Sequence, residues 1–182
     1  MENHLQAFII SKISMLNNKR DSYSKASGAK LRRAVGKDPA EAPDVWDITL
    51  PDAPIGKNYT DVIHVVLSLY ALHIQGKDES MNDDKTNFGA AAAQLINPDK
   101  NNENAIRRRF NAVCTSSDFK ELVYHAKGLI QMFKAENIKF NYAWFASDLN
   151  RFHNQNYIND IRLKWGKAFY NYKPIKEGTD EK

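Results

Sequence analysis

At 182 residues and 42% hydrophobic content, the chain is long enough to bury a real core, as one compact unit or as two small lobes. Its single cysteine, Cys114, excludes an internal disulfide and any cysteine zinc cluster, and no apolar run approaches the roughly 20 residues that cross a bilayer. The formal charge of +4 hides a segregation, since residues 38–84 hold ten carboxylates against two lysines while 1–37 and 105–176 are both strongly basic. A chain divided in this way can hold a polyanion on one side while its other side meets protein.

The apolar period is helical throughout. Leu5, Phe8, Ile9, Ile13 and Leu16 recur at three- and four-residue steps and predict an amphipathic helix over 3–17. The opening Met-Glu-Asn-His-Leu-Gln lacks the basic region and apolar stretch of a signal peptide, so a cytoplasmic protein is expected. After a polar stretch over 17–24, Ser27 is placed to cap a short helix over 28–35 that presents Lys30, Arg32 and Arg33 and stops at Gly36. Pro39, Pro43, Pro51 and Pro54 leave room for one helical turn near 45–50, with Trp46 as its expected anchor.

Residues 59–75 are apolar on nearly every face and read as a central buried helix ended by Gly76. The polar stretch 77–86 reads as a surface loop. Four consecutive alanines in 88–96 favour a helix that packs closely, and Pro98 stops it. A helix over 102–115 follows with Ile106, Phe110 and Val113 inward. The next, over 118–134, is expected to be capped by Ser117 with Leu122, Val123, Leu129, Ile130 and Phe133 inward. Helices over 141–152 and 156–172 complete the chain, with a frayed tail at 177–182. No period-two strand pattern occurs. The expected fold is all-α, a bundle of about eight or nine helices, divisible into an N-terminal lobe over 1–100 and a basic C-terminal lobe over 101–182.

Catalysis would need convergent ligands or an activated nucleophile, and the sequence offers neither. His64 and His73 lie on opposite sides of one helix, roughly 180° apart. His125, beside Lys127, reads either as a phosphate donor or as a satisfied, partly buried histidine. Cys114 reads as a small core residue. No metal, cofactor or enzymatic activity is expected. Trp144, Phe145 and Trp165 have the spacing of core aromatics, though stacking on bases is the alternative.

The cations carry more information. With Ile106, Phe110 and Val113 inward, Arg107 and Arg108 rotate onto the flank and outer face. Arg109 falls near the buried stripe, as an intramolecular or interface anchor. On the last helix Ile158, Ile161, Trp165 and Phe169 form the buried seam. Lys164 and Lys167 then share one flank as solvated groups dispensable for stability, and Arg162 lies on the other.

Ala105-Ile106-Arg107-Arg108-Arg109-Phe110-Asn111, Leu122-Val123-Tyr124-His125-Ala126-Lys127, Asp148-Leu149 and Arg162-Leu163-Lys164-Trp165-Gly166-Lys167-Ala168-Phe169-Tyr170 follow one another in an order that resembles the small subunit of the type I-E CRISPR Cascade complex, the CasB family. Gly28-Ala29-Lys30-Leu31-Arg32-Arg33 resembles that family's basic N-terminal element, and the likeness runs from about Leu5 to Tyr172. The polar stretch 77–86 and the acidic Pro-rich stretch before it depart from the family pattern. The resemblance implies a non-catalytic helical subunit, present as two copies in an RNA-guided complex with the other Cascade subunits. It supports guide RNA and target DNA and steadies the displaced strand, and a separate nuclease cuts. Lys30, Arg32, Arg33, Arg107, Arg108, Lys127, Arg162, Lys164 and Lys167 are then the candidate backbone contacts. The competing reading is a helical adaptor whose basic surface docks acidic proteins. A helix-turn-helix reader fits less well, because no helix concentrates Asn, Gln and Arg at base-edge positions.

Overall fold

The computed structural model describes residues 2–51, 57–153 and 155–173. The expected frayed tail at 177–182 and part of the Pro-rich stretch lie outside the described residues. Within them the fold is all-α, with helices α1 (Glu2–Asn17), α2 (Ser22–Ala34), α3 (Trp46–Thr49), α4 (Lys57–His73), α5 (Phe88–Gln94), α6 (Glu103–Cys114), α7 (Phe119–Glu136), α8 (Tyr142–Phe152) and α9 (Gln155–Tyr170). Short 3-10 turns at Pro39–Glu41, Pro43–Val45 and Pro98–Lys100 join them.

The apolar helix α4 occupies the centre, packed by α1, α2, α7 and α8. Val62, Ile63, Val66, Leu67, Tyr70 and Ala71 are completely buried or nearly so. An aromatic core lies beside it. Phe88 stacks on Phe145 with centroids 4.9 Å apart and meets Trp165 at 5.1 Å. Phe110 stacks on Phe169 at 4.2 Å, tying α6 to α9. The alanine-rich α5 crosses α9 at Gly89, where an added Cβ would lie 2.1 Å from the backbone oxygen of Trp165. Only glycine permits that approach.

Four local readings need correction. Helix α2 begins at Ser22 rather than near Gly28, because the Asp21 carboxylate accepts from the Ser24 backbone N–H at 2.7 Å and starts the helix early. Ser24, Ser27 and Gly28 are buried there, small enough for close packing. Trp46 does not anchor its segment in the core. It is 43% exposed and its indole N–H donates to the Pro39 carbonyl at 2.8 Å, while Val45 and Ile48 are the buried residues. Helix α7 is capped by Asp118, which accepts from the Glu121 N–H at 2.8 Å, and Ser117 instead donates to the Glu121 carboxylate. Val123 is only half-buried.

The stretch 77–86 is at the surface but firmly tied down. Met81 is buried, Asn82 accepts from the Tyr142 N–H at 2.9 Å, and the Asp83 carboxylate accepts from both the backbone and the hydroxyl of Thr86 at 2.9 Å. The backbone bond from Asn141 N–H to Thr86 O, 2.8 Å, locks it against the entry to α8.

Candidate nucleic-acid interface

Helix α7 buries Leu122, Ala126, Leu129, Ile130 and Phe133. The opposite positions follow from the same 3.6-residue period: Lys120, Tyr124, Lys127, Gln131 and Lys134 recur at alternating four- and three-residue steps along its outer side. At about 1.5 Å per residue that stripe is about 21 Å long. Asn137, at φ 57°, closes the helix, with the Ile138 N–H donating back to Phe133 O at 3.0 Å.

Two grooves flank this ridge. In one, Arg108, Arg109 and Ala112 of α6 face Tyr124, His125, Lys127, Gly128 and Gln131 of α7. In the other, Lys37 and the Asp38–Glu41 turn face Phe119, Lys120, Val123, Tyr124 and Lys127, with Asp61 and Val65 of α4 on the floor. Tyr124 and Lys127 line both. Among the described residues, Arg108, Arg109, Lys120 and Lys127 have no hydrogen-bond or ion-pair partner for their side chains. At the far end of α7 the Lys134 ammonium is destabilised first by burial and then by Lys77 and Arg32, so Arg32 contributes to the same positive field. Arg32 is itself shifted down by burial and by Arg33. In the α6–α7 groove no carboxylate lines the wall beside Arg108, Arg109 and Lys127, and cations gathered in this way generate the potential that draws a polyanion; the other groove also holds Asp38, Glu41 and Asp61.

Of the candidates named from sequence, the structure thus brings Arg108 and Lys127 to one groove, while Arg32 lies toward Lys134 at the far end of α7. Arg33 and Lys167 are exposed elsewhere, on α2 and α9. Four others have internal partners. Lys30 lies 3.8 Å from Asp47. Arg107 donates from Nε to Glu103 at 2.8 Å and lies over the Tyr170 ring at 4.8 Å. Arg162 donates to the Ser116 carbonyl at 2.7 Å, at the end of α6. Lys164 donates to the buried Asp148 carboxylate at 2.7 and 3.0 Å, and the Trp165 indole donates to the same carboxylate at 2.8 Å. Lys164 is therefore not the dispensable solvated group expected, because Asp148 is 3% exposed and depends on it for charge balance.

Arg109 also departs from expectation. It is exposed rather than packed at the buried stripe, because α6 turns Ala112 and Arg109 toward the α7 groove while Ile106, Phe110 and Val113 point inward. His125 is partly buried, 3.8 Å from Glu121 and edge-on to Tyr124. Lys120, Tyr124, Gln131 and Lys134 were missed from sequence, although the signal was present: they occupy the complement of an apolar stripe that, apart from Val123, was read correctly.

No group of three or more His, Cys, Asp or Glu side chains arranged to hold a metal occurs among the described residues. Burial raises the Cys114 thiol to about 11 and lowers His73 to about 3, which leaves both uncharged at neutral pH. No helix among the described residues is long and apolar enough to cross a membrane.

A family model described as CRISPR-associated protein Cse2 matches residues 27–170. Among solved structures, CasB from Thermobifida fusca superposes with a TM-score of 0.79 at 22% identity, covering 91% of this chain and 97% of that one. CasB from Thermus thermophilus gives 0.71 at 16% identity, covering 91% and 97%. A chain of a CRISPR RNA-guided surveillance complex gives 0.75 at 16% identity, covering 93% and 92%. At these identities the structural likeness establishes a shared fold. No curated protein matches the sequence.

Proposed function

The chain belongs to the CRISPR-associated Cse2 family, and from that membership we propose that it is a non-catalytic subunit of an RNA-guided surveillance complex, where it holds guide RNA and target DNA and steadies the displaced strand. The observation that carries this reading is the α6–α7 ridge, where Arg108, Arg109, Lys120 and Lys127 stand without internal partners while Arg107, Arg162 and Lys164 are engaged within the fold. Side chains that leave a helix as a row of unpaired cations contact phosphates and carry no base information. Sequence choice then belongs to base pairing, and the exchange of one duplex for another is so nearly balanced that a few backbone contacts tip it.

Arg33 and Lys167 extend the basic surface beyond the ridge, and Lys30, Arg107, Arg162 and Lys164 act there only by exchanging the partners they hold. Protein neighbours, including a second copy of this chain, fall to the exposed apolar residues away from the ridge, such as Leu163 and Tyr170 on α9 at 56% and 54% exposure.

The test is a salt titration of the reconstituted complex carrying Arg108→Ala and Arg109→Ala. Each lost phosphate contact should flatten the dependence of log affinity on log salt by about 0.7 to 0.9, equally for matched and mismatched targets. An unchanged slope with full affinity would assign the ridge to protein contacts. A loss confined to particular sequences would point to base readout.

A further inference from the structure

The cationic ridge contains one side chain that electrostatics does not explain. Tyr124 is 73% exposed, the highest value among the large hydrophobic side chains of the described residues. It stands at the crest between the two grooves, and its one ring neighbour there is His125, edge-on at 5.2 Å. Its hydroxyl has no partner among the described residues. Lys120 and Lys127 lie about one helical turn to either side of it, about 6 and 4.5 Å along the axis. An uncovered aromatic face between two cations is the arrangement that receives a base while the flanking phosphates are neutralised.

We propose that Tyr124 is a base-stacking platform and that the strand crossing this ridge is unpaired at that point. This rests on the nucleic-acid reading above and narrows it. In a duplex, base faces are covered by their neighbours, and a side chain reaches one only by wedging between steps. Tyr124 sits on a convex helix face without the apolar wedge geometry that such insertion requires. A single strand presents its base faces freely, and stacking tolerates any sequence because every base has a π face. The ridge therefore discriminates between strand states, not between sequences.

The experiment measures binding of the full-length chain to an oligothymidylate, to an abasic strand of equal length and to a duplex, at several salt concentrations. Tyr124→Ala, Tyr124→Phe and the Arg108→Ala, Arg109→Ala pair are compared with wild type. Stacking is worth about 1–3 kcal/mol per base, so Tyr124→Ala should weaken oligothymidylate binding about 5- to 150-fold without changing the salt slope. It should leave the abasic strand and the duplex unaffected, and Tyr124→Phe should retain most of the wild-type affinity. Equal losses on the abasic strand, no loss on oligothymidylate, or a wild-type chain that binds oligothymidylate no better than the abasic strand would overturn the stacking role. If the arginine pair weakens binding and Tyr124→Ala does not, stacking alone fails. If neither does, the nucleic-acid reading of the ridge fails with it.

Discussion

Helices α7 and α9 are similar in length and both carry several lysines or arginines beside aromatic residues, yet Lys120 and Lys127 of α7 and Arg162 and Lys164 of α9 have opposite fates. On α9, Lys164 is drawn to the buried Asp148 of α8 and Arg162 caps the carbonyl of Ser116. On α7, Lys120 and Lys127 form no ion pair, although Asp38, Glu41 and Asp61 line the groove they border. The difference originates in the neighbours. A carboxylate buried on the adjoining helix recruits a lysine because an unbalanced buried charge costs several kcal/mol. The helix flanking α7, α6, instead adds Arg108 and Arg109 to the same side. Charge density along a helix thus says little about binding until the partners across the packing interface are known.

The sharpest way to break the α9 side of this contrast is Trp165→Ala. The indole is 1% exposed, packs on Phe88 and Phe145, and shares Asp148 with Lys164. Truncation should cost about 3 to 5 kcal/mol, read as a lowered denaturation midpoint. A neutral result accompanied by lost nucleic-acid binding would make Trp165 a contact residue and dissolve the distinction between the two helices.

Acid should come next and should strike the core that α7 packs against. His73 lies among Phe133, Phe140 and Tyr142, with its Nδ1 2.9 Å from the Tyr142 hydroxyl. Burial lowers it from 6.5 to about 3, opposed by its interaction with the Ile138 backbone carbonyl, which favours the protonated ring, and helped by Lys77 and Lys134. Its folded state thus binds fewer protons than its unfolded state. The contribution is complete above about pH 6.5 and is lost as pH falls from there toward about 3, at about 1.4 kcal/mol per unit. His64, lowered by burial in the same direction, adds to the slope. Denaturant titrations at pH 7 and pH 5 should differ by about 2 kcal/mol from His73 alone, and His73→Phe should remove that part of the slope. An unchanged slope in the variant would refute the assignment.

Lys164→Ala ranks third. It leaves Asp148 with the Trp165 indole as its remaining side-chain donor, but Lys164 is 46% exposed at its side chain, so water replaces part of the lost ion pair. We expect about 1 to 2 kcal/mol of destabilisation. Adding Asp148→Asn should recover part of it, whereas two independent penalties that simply add would show that the pair is not coupled.

What the sequence made legible follows from the range of the forces involved. The apolar stripes of α1, α4, α6, α7 and α9 repeat every three or four residues, so Ile106, Phe110, Val113, Ile158, Ile161, Trp165 and Phe169 were placed inward correctly. Helix starts were less legible, because Asp21 and Ser27 are equally good capping residues until the backbone shows which one accepts from the chain ahead. The partners of Arg162, Lys164 and Asn82 lie 46, 16 and 60 residues away, and no local spacing announces them. The ridge itself is half legible: the helical period turns Arg108 and Lys127 outward, but it sets Arg109 near the buried stripe, and no local spacing shows that Tyr124 stands between two grooves.

The smallest effect on stability belongs to α7. Lys120→Ala and Lys127→Ala remove side chains with no partner among the described residues, from positions whose neighbours on the outer side are Tyr124 and Gln131. Alanine is the better helix former at both sites, so the pair should stay within about 0.5 kcal/mol of wild type in a thermal or denaturant melt. Binding should respond differently. If each lysine neutralises one phosphate, the double variant should flatten the salt dependence of log affinity for a single strand by about 1.4. A melt shifted by more than about 1 kcal/mol would mean that the ridge serves the fold as α9's cations do. An unchanged melt together with an unchanged salt slope would leave the α7 lysines outside the path of the strand and move that path toward Arg33 or Lys167, two exposed cations elsewhere on the surface.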